Sequence, residues 1–150
     1  MTGPAGDVGT DRAVELANKA TILRYHERLW GHGDLTAIAA AWAPDAVVHM
    51  TGFDAGGIET VTEDAVRYQG AFTEVATTVA DLLADGDRVV LRWETSGLHV
   101  GPYGDVAATG KVITMRGIDV LRLDGGRIVE AWSMWDGLDV YEQFGLLPGS

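Results

Sequence analysis

The sequence contains no cysteine, few basic residues and no long apolar segment. Without cysteine the chain forms no disulfide, no thiolate zinc site and no cysteine nucleophile, a composition that fits the reducing cytoplasm, where we expect the protein to be located. Eleven basic against 22 acidic residues give a net charge of −11, which repels nucleic-acid phosphates and anionic lipid surfaces. No segment approaches the ~20 apolar residues that span a bilayer. We therefore expect neither nucleic acid nor a membrane as a partner.

The bulk composition is that of an ordinary globular chain. Its 150 residues are 47% hydrophobic and 22% charged, enough to bury one core and too few for two comfortable domains. Residues 1–10 contain glycine and proline but neither a basic flank nor an apolar run, so they indicate a loose tail and not a signal peptide. We expect a tail over 1–10 and a single domain over 11–150.

The first half of the chain predicts helices. Apolar residues recur there at three- and four-residue spacing, and Gly31 interrupts the pattern. The predicted elements are a helix over 11–30, a second helix over 35–42 with Asp34 as its N-cap, a short strand over 46–50, a glycine-rich loop over 51–57, and a third helix from the capping-box pattern of Thr60 and Glu63 to about Thr73.

After residue 75 the apolar period changes to two, which indicates strands. Four strands are predicted over 75–83, 88–100, 111–123 and 127–135, with turns at 85–86 and 124–126, and a last short helix over 138–144. This order predicts an α+β fold in which three to four helices and a curved antiparallel sheet enclose an apolar pocket.

Asp119 is the strongest candidate for chemistry. The sequence has no phosphate loop, nucleophile elbow or metal-ligand cluster, so we expect a site without cofactor or metal. Asp119 lies inside an apolar strand, where burial would raise its pKa toward neutrality and suit a general acid or base. The alternative is a structural carboxylate that is bonded to the backbone or to Arg116 or Arg122.

The histidines are weaker candidates. His49 ends the first short strand and would exchange protons at the rim of a pocket, or simply be half-exposed there. His99 precedes the long loop over 101–110 and would bind substrate or cap that loop. His26 and His32, on the first helix and in the turn after it, are expected to be solvated.

Aromatic and small polar residues complete the candidate site. Trp93 and Trp135 would form a wall for a flat or extended ligand, or fill the core. Strand alternation places Ser133 and Trp135 on one face of the sheet and Trp132 and Met134 on the other. Two further candidates have structural alternatives: Asp136 as the cap of the last helix, and Tyr25 as a core residue.

Several segments of the second half carry a resemblance to a known family. They are 97–104 (GLHVGPYG), 108–111 (ATGK), 116–122 (RGIDVLR), 126–132 (GRIVEAW), Asp136, and 142–145 (EQFG). Together they resemble the SnoaL-like polyketide cyclases, which have the nuclear transport factor two-like fold. The similarity is strongest over residues 88–147, and it implies the same cone-shaped fold.

That family includes aldol cyclases, cofactor-free hydroxylases and epoxide-opening cyclases, so the fold alone does not define the reaction. In the aromatic cyclases a catalytic aspartate falls at Ser133 and a pocket histidine at Asp119. A carboxylate at Asp119 is instead similar to the related epoxide hydrolases and pyran-forming enzymes, where it acts with a partner across the pocket. His49 matches the position of that partner.

The resemblance implies a cofactor-independent cyclase that binds an apolar polyketide intermediate and closes a ring through Asp119 and His49, helped by templating of the bound chain. Such proteins commonly form homodimers. A hydroxylase or epoxide hydrolase of the same fold, or a noncatalytic binding protein, is the alternative.

Overall fold

The computed structural model describes residues 8–50 and 55–148. In chain order its elements are α1 (Val8–His26), a π-helical turn (Glu27–Gly31), α2 (Thr36–Ala41), β1 (Trp42–Met50), α3 (Ile58–Ala71), β2 (Phe72–Asp85), β3 (Arg88–His99), β4 (Val112–Asp124), β5 (Arg127–Trp135) and α4 (Gly137–Phe144).

The helices differ from the predicted ones mainly at their ends. α1 begins at Val8, so residues 8–10 are helical and not part of a tail, while residues 1–7 of the predicted tail lie outside the described residues. The predicted capping box is wrong, because α3 already begins at Ile58 and no side chain caps it. The N-cap position of α2 is Leu35 and not the predicted Asp34, although Asp34 Oδ1 accepts a hydrogen bond from the Thr36 backbone N–H at 3.0 Å.

The five strands form one sheet in the order β1-β5-β4-β3-β2. β2 to β5 form the expected antiparallel meander, and Gly125 and Gly126 have the positive φ values of 58° and 80° that a tight hairpin requires. β1 departs from the expectation because it pairs in parallel with β5, at the far edge of the sheet from β2. The sheet is therefore mixed.

The sheet is curved and does not close into a barrel. β2 has irregular register at two places, after Thr73 and after Val79, and Glu74 near the first has a positive φ of 53°. Such bulges bend a strand and increase its twist. The curvature gives the sheet a concave face that the helices cover.

Two apolar clusters fill the concave face. The first joins α1, α2 and β1 to one end of β3–β5, and the second joins the end of α3 to α4 and the start of β4. Trp30 and Trp93 pack against both clusters. The space between the clusters is a cavity that Trp30 and Trp93 line.

Candidate functional site

A cavity opens between the concave face of the sheet and helices α1 and α3. The space open to the centre of a water molecule is about 90 Å³. Seven of its thirteen lining residues are aromatic or thioether side chains and six are polar, a combination found in small-molecule sites. The lining residues are His26, Trp30, Met50, Asp64, Arg67, Tyr68, Trp93, Thr95, Tyr103, Met115, Asp119, Ser133 and Trp135.

Asp119 lies on the sheet wall of this cavity. It is an even number of residues from the buried Met115 and Leu121 on β4, so all three side chains lie on the concave face of the sheet. Ser133, directly opposite on β5, donates a hydrogen bond from its hydroxyl to Asp119 Oδ1 at 2.7 Å. Burial raises the pKa of Asp119 to about 6, against the opposing effect of Ser133 and the Trp93 indole. The group can therefore hold or release a proton near neutral pH.

Gly117 makes room for the aromatic wall beside Asp119. It pairs with Trp93 across β3 and β4, and a Cβ atom at Gly117 would lie 2.3 Å from the Trp93 ring and 2.6 Å from the Met134 carbonyl oxygen. Only glycine allows the indole to lie against β4 there. This contact fixes the Trp93 ring next to the carboxyl group of Asp119.

A second polar group faces the sheet from α3. Arg67 Nη2 donates to Asp64 Oδ1 at 2.7 Å, and the Arg67 guanidinium lies 5.3 Å from the centre of the Tyr103 ring. Burial raises the pKa of Asp64, and the Arg67 hydrogen bond opposes that rise. Tyr68, one turn from Asp64, is buried and its hydroxyl has no hydrogen-bond partner in the described part of the chain. This wall offers a charged pair and an unused hydroxyl to a ligand.

His26 forms the α1 side of the cavity, and the expectation that it is solvated is wrong. Only 2% of the residue is exposed, and its Nε2 makes a hydrogen bond of 2.8 Å with the Thr77 hydroxyl. Burial lowers the pKa of His26 to about 4. The imidazole is therefore neutral at pH 7 and lines the cavity as a polar, uncharged group.

The structure brings four of the predicted site residues together. Asp119, Ser133, Trp93 and Trp135 all line the cavity. The alternation along β5 is as expected, because Met134 is 70% exposed on the opposite face. The catalytic and binding roles assigned to these residues stay predictions.

His49 does not face Asp119, which corrects the expected pairing across the pocket. The parallel register sets Met50 opposite Ser133 and His49 opposite Trp132, so that Met50 reaches the cavity and His49 points to the convex face. There His49 Nε2 lies 2.9 Å from Glu130 Oε2, and its ring stacks on Trp132 at 5.4 Å. The sequence could not show this, because it depends on which strand β1 pairs with.

Three other candidates also lie outside the cavity lining. Tyr25 is a core residue that packs edge-on against Trp42. His99 is fully buried between aromatic rings, and its Nδ1 accepts a hydrogen bond from the Thr109 backbone N–H at 3.1 Å. Asp136 caps α4 by accepting a hydrogen bond from the Asp139 N–H at 3.1 Å. All three have the structural role that the sequence left open as the alternative.

Asp64, Arg67, Tyr68 and Tyr103 are lining residues that sequence reasoning missed. A pattern in α3 could have identified Asp64, because it follows Val61 by three residues and precedes Tyr68 by four. Both of those residues are buried, so the carboxylate lies on the apolar stripe of the helix. Tyr103, on an irregular connection, left no such pattern.

Two general features bear on cofactors and membranes. In the stretches 8–50 and 55–148, no three histidine or carboxylate side chains are grouped so as to hold a metal ion. The prediction of a cofactor-free site is not tested by that observation. No helix in the same stretches is long and apolar enough to cross a membrane.

The model of the SnoaL-like polyketide cyclase family matches residues 20–144. No curated protein matches the chain by sequence. Among solved structures, AclR, a proposed hydroxylase from Streptomyces galilaeus, is 25% identical over 91% of this chain and 85% of its own, with a TM-score of 0.83.

Two further solved structures have a similar fold. IdmH from Streptomyces antibioticus, a proposed polyketide cyclase, is 28% identical over 85% of this chain and 98% of its own, with a TM-score of 0.75. An epoxide hydrolase of the LEH-like type from M. tuberculosis is 18% identical over 87% and 90% of the two chains, with a TM-score of 0.64, a likeness of fold alone.

Proposed function

Because the chain belongs to the SnoaL-like polyketide cyclase family, we propose that it is a cyclase that closes a ring in an apolar polyketide intermediate. The observation that carries the proposal is Asp119, a carboxyl group with a pKa of about 6 in an aromatic cavity. A group that exchanges its proton near neutral pH suits general acid or base catalysis. No cofactor is needed for this chemistry.

The shape of the cavity supports a second contribution to rate. Trp30, Trp93 and Trp135 supply rigid apolar walls, and a flexible chain held between them has its reacting atoms close together. Well-oriented intramolecular reactions gain about 7–11 kcal/mol from such positioning. Templating and proton transfer by Asp119 therefore act on the same bound chain.

The test is turnover of a panel of linear and partly cyclised polyketide intermediates, followed by chromatography and mass spectrometry. We expect a product that has the mass of its precursor or that mass less one water. Asp119→Asn should lower the rate about 10²–10⁴-fold. Asp81→Asn is the matched control, because Asp81 is exposed and ion-paired with Arg92.

Two results would contradict the proposal in different ways. Ring closure at an unchanged rate in Asp119→Asn would exclude acid–base catalysis by Asp119. The rate enhancement would then come from templating of the bound chain, which includes the case of a pericyclic closure. Binding of the panel without any turnover would favour a noncatalytic binding protein.

Epoxide opening or hydroxylation is the second candidate function. It is favoured by the likeness to AclR, a proposed hydroxylase, and by the presence of two carboxyl groups, Asp64 and Asp119, in one cavity. Incorporation of ¹⁸O from labelled water into the product would indicate an epoxide hydrolase. Consumption of dissolved oxygen would indicate a hydroxylase.

The proposal includes a homodimer joined through the convex face of the sheet. Ile118 and Met134 pair there across β4 and β5 and are 47% and 70% exposed, and Val120 and Trp132 form the adjacent pair. Apolar side chains that lie together on an exposed sheet face are typical of an interface. Met134→Lys should shift the mass measured by sedimentation from dimer to monomer, while a wild-type monomer would contradict the proposal.

The cytoplasmic location expected from the sequence belongs to the same proposal. Fractionation of the producing cells, with the protein detected by antibody, tests it. Recovery from the medium or the membrane fraction would contradict it.

A further inference from the structure

The cavity contains two carboxyl groups whose surroundings differ. Asp64 projects from α3 and Asp119 from β4, and the two lie close enough for the charge of Asp64 to raise the pKa of Asp119. Two carboxyl groups in one apolar cavity do not ionise together easily, because each negative charge opposes the other. The group with the better cationic partner then ionises first.

Asp64 has that partner. Arg67 Nη2 donates to its Oδ1 at 2.7 Å, and the guanidinium is held in turn by the face of Tyr103 at 5.3 Å. A neighbouring cation favours the ionised form of a carboxyl group. Burial raises the pKa of both carboxyl groups, but only Asp64 has a cation that opposes the rise, so Asp64 is the carboxylate of the pair.

Asp119 has no such partner. Its hydrogen bond comes from the neutral Ser133 hydroxyl at 2.7 Å, and within the described ranges no ion pair includes Asp119. A carboxyl group that is desolvated and faces a like charge keeps its proton to higher pH. Asp119 is therefore the acid of the pair.

We propose that Asp64 is the general base and Asp119 the general acid of this cavity, a division of roles that rests on the proposed cyclase function. Paired carboxyl groups whose environments favour opposite protonation states commonly divide the work in this way. The pKa of about 6 for Asp119 agrees with the assignment. The remaining titratable or polar groups around the pair are Tyr25 and His26 from α1, Arg67 and Tyr68 from α3, Tyr103 from the long loop, Trp93 and Thr95 from β3 and Ser133 from β5.

A carbon–carbon ring closure needs one proton removed from carbon and one delivered to oxygen. The Asp64 carboxylate takes a proton from a carbon next to a carbonyl group, and that carbon forms a bond to a second carbonyl carbon of the same chain. The electron pair of the second C=O bond moves to its oxygen, which takes the proton of Asp119. Asp64 is then protonated and Asp119 ionised, and exchange of one proton each with solvent restores both.

Titration of the two carboxyl groups tests the order directly. Protein labelled with ¹³C at the aspartate carboxyl carbons is followed by NMR from about pH 4 to about pH 9. The two resonances are assigned by their loss in Asp64→Asn and Asp119→Asn. We expect Asp64 to ionise first, and the midpoint of Asp119 to fall in Asp64→Asn, because a like charge is removed.

The control is Asp81→Asn, which should leave both midpoints in place because Asp81 is exposed on β2 and lies outside the cavity. Ionisation of Asp119 before Asp64 would overturn the assignment. So would a midpoint of Asp119 that does not move in Asp64→Asn.

Turnover tests the same roles separately. For any panel compound that cyclises, Asp64→Asn should lower kcat about 10²–10⁴-fold, and the wild-type rate should fall as pH rises through the midpoint of Asp119. An unchanged kcat in Asp64→Asn would refute its role as base. If no compound cyclises, the cyclase function fails, while the order of ionisation still decides the assignment of the pair.

Discussion

Replacing Asp119 by asparagine should make the protein more stable at neutral pH. Burial raises the pKa of Asp119 from 3.8 to about 6, so the folded state binds its proton more tightly than the unfolded state does. The contribution of this carboxyl group to stability is then complete below pH 3.8 and is lost as the pH rises through 6. A shift of about 2 units corresponds to about 3 kcal/mol.

Asparagine does not ionise, so the variant does not lose stability as the pH rises. It has nearly the same shape, and its side-chain oxygen can still accept the hydrogen bond from Ser133. We therefore expect the variant to gain up to about 3 kcal/mol over the wild type at pH 8, and almost nothing near pH 4. In a domain of this size the gain corresponds to a rise in Tm of about 6–12 °C.

Urea unfolding of both proteins, followed by circular dichroism at several pH values, measures the difference in free energy of unfolding. Asp81→Asn is the control, because loss of an exposed ion pair changes stability by about 0–1 kcal/mol. A difference between the Asp119 variant and wild type that is the same at pH 4 and pH 8 would refute the reasoning. It would show that the carboxyl group is not desolvated in the folded protein.

Three other changes have expected outcomes. Gly117→Ala places a Cβ atom 2.3 Å from the Trp93 ring. We therefore expect about 1–3 kcal/mol of destabilisation in urea unfolding, and a red shift of tryptophan fluorescence because the ring moves. An unchanged fluorescence spectrum would contradict this. Asp136→Ala removes the cap of α4 and should cost about 1 kcal/mol, while Asp136→Ser should cost less. The pKa of His26 is lowered from 6.5 to about 4, so the free energy of unfolding of wild type should fall by about 3 kcal/mol as the pH drops from 6.5 to 4. His26→Gln can keep the hydrogen bond to Thr77 and should not show this fall. The same pH dependence of stability in both proteins would contradict the prediction.

The meander of the second half could be predicted from sequence because its information is local. Strict alternation along β4 and the Asp-Gly turns define each strand and its neighbour, and the alternation also places Asp119 and Ser133 on one face. No local sequence pattern indicated which strand β1 pairs with. Its pairing with β5 joins residues more than 80 positions apart, and a shift of one residue would have turned His49 into the cavity and Met50 out of it.

The same distinction applies to the cavity walls. A carboxylate inside an apolar strand can be recognised from its neighbours in sequence, because burial of a charge is costly in any fold. The contact of α3 with the sheet wall cannot be recognised from sequence, because it depends on how the helix lies across the concave face. Asp64 and Arg67 enter the site only through that packing.

The sequence by itself determined the α+β class, the strands of the meander and the unusual position of Asp119, since hydrophobic period and turn chemistry act within a few residues. The tertiary structure alone decided which groups face Asp119. It directed His49 to the convex face and brought Asp64, with Arg67, to the opposite wall. The physical reason is that the pKa and the partner of a buried group are set by atoms that neighbour it in space, and most of those atoms belong to distant parts of the chain.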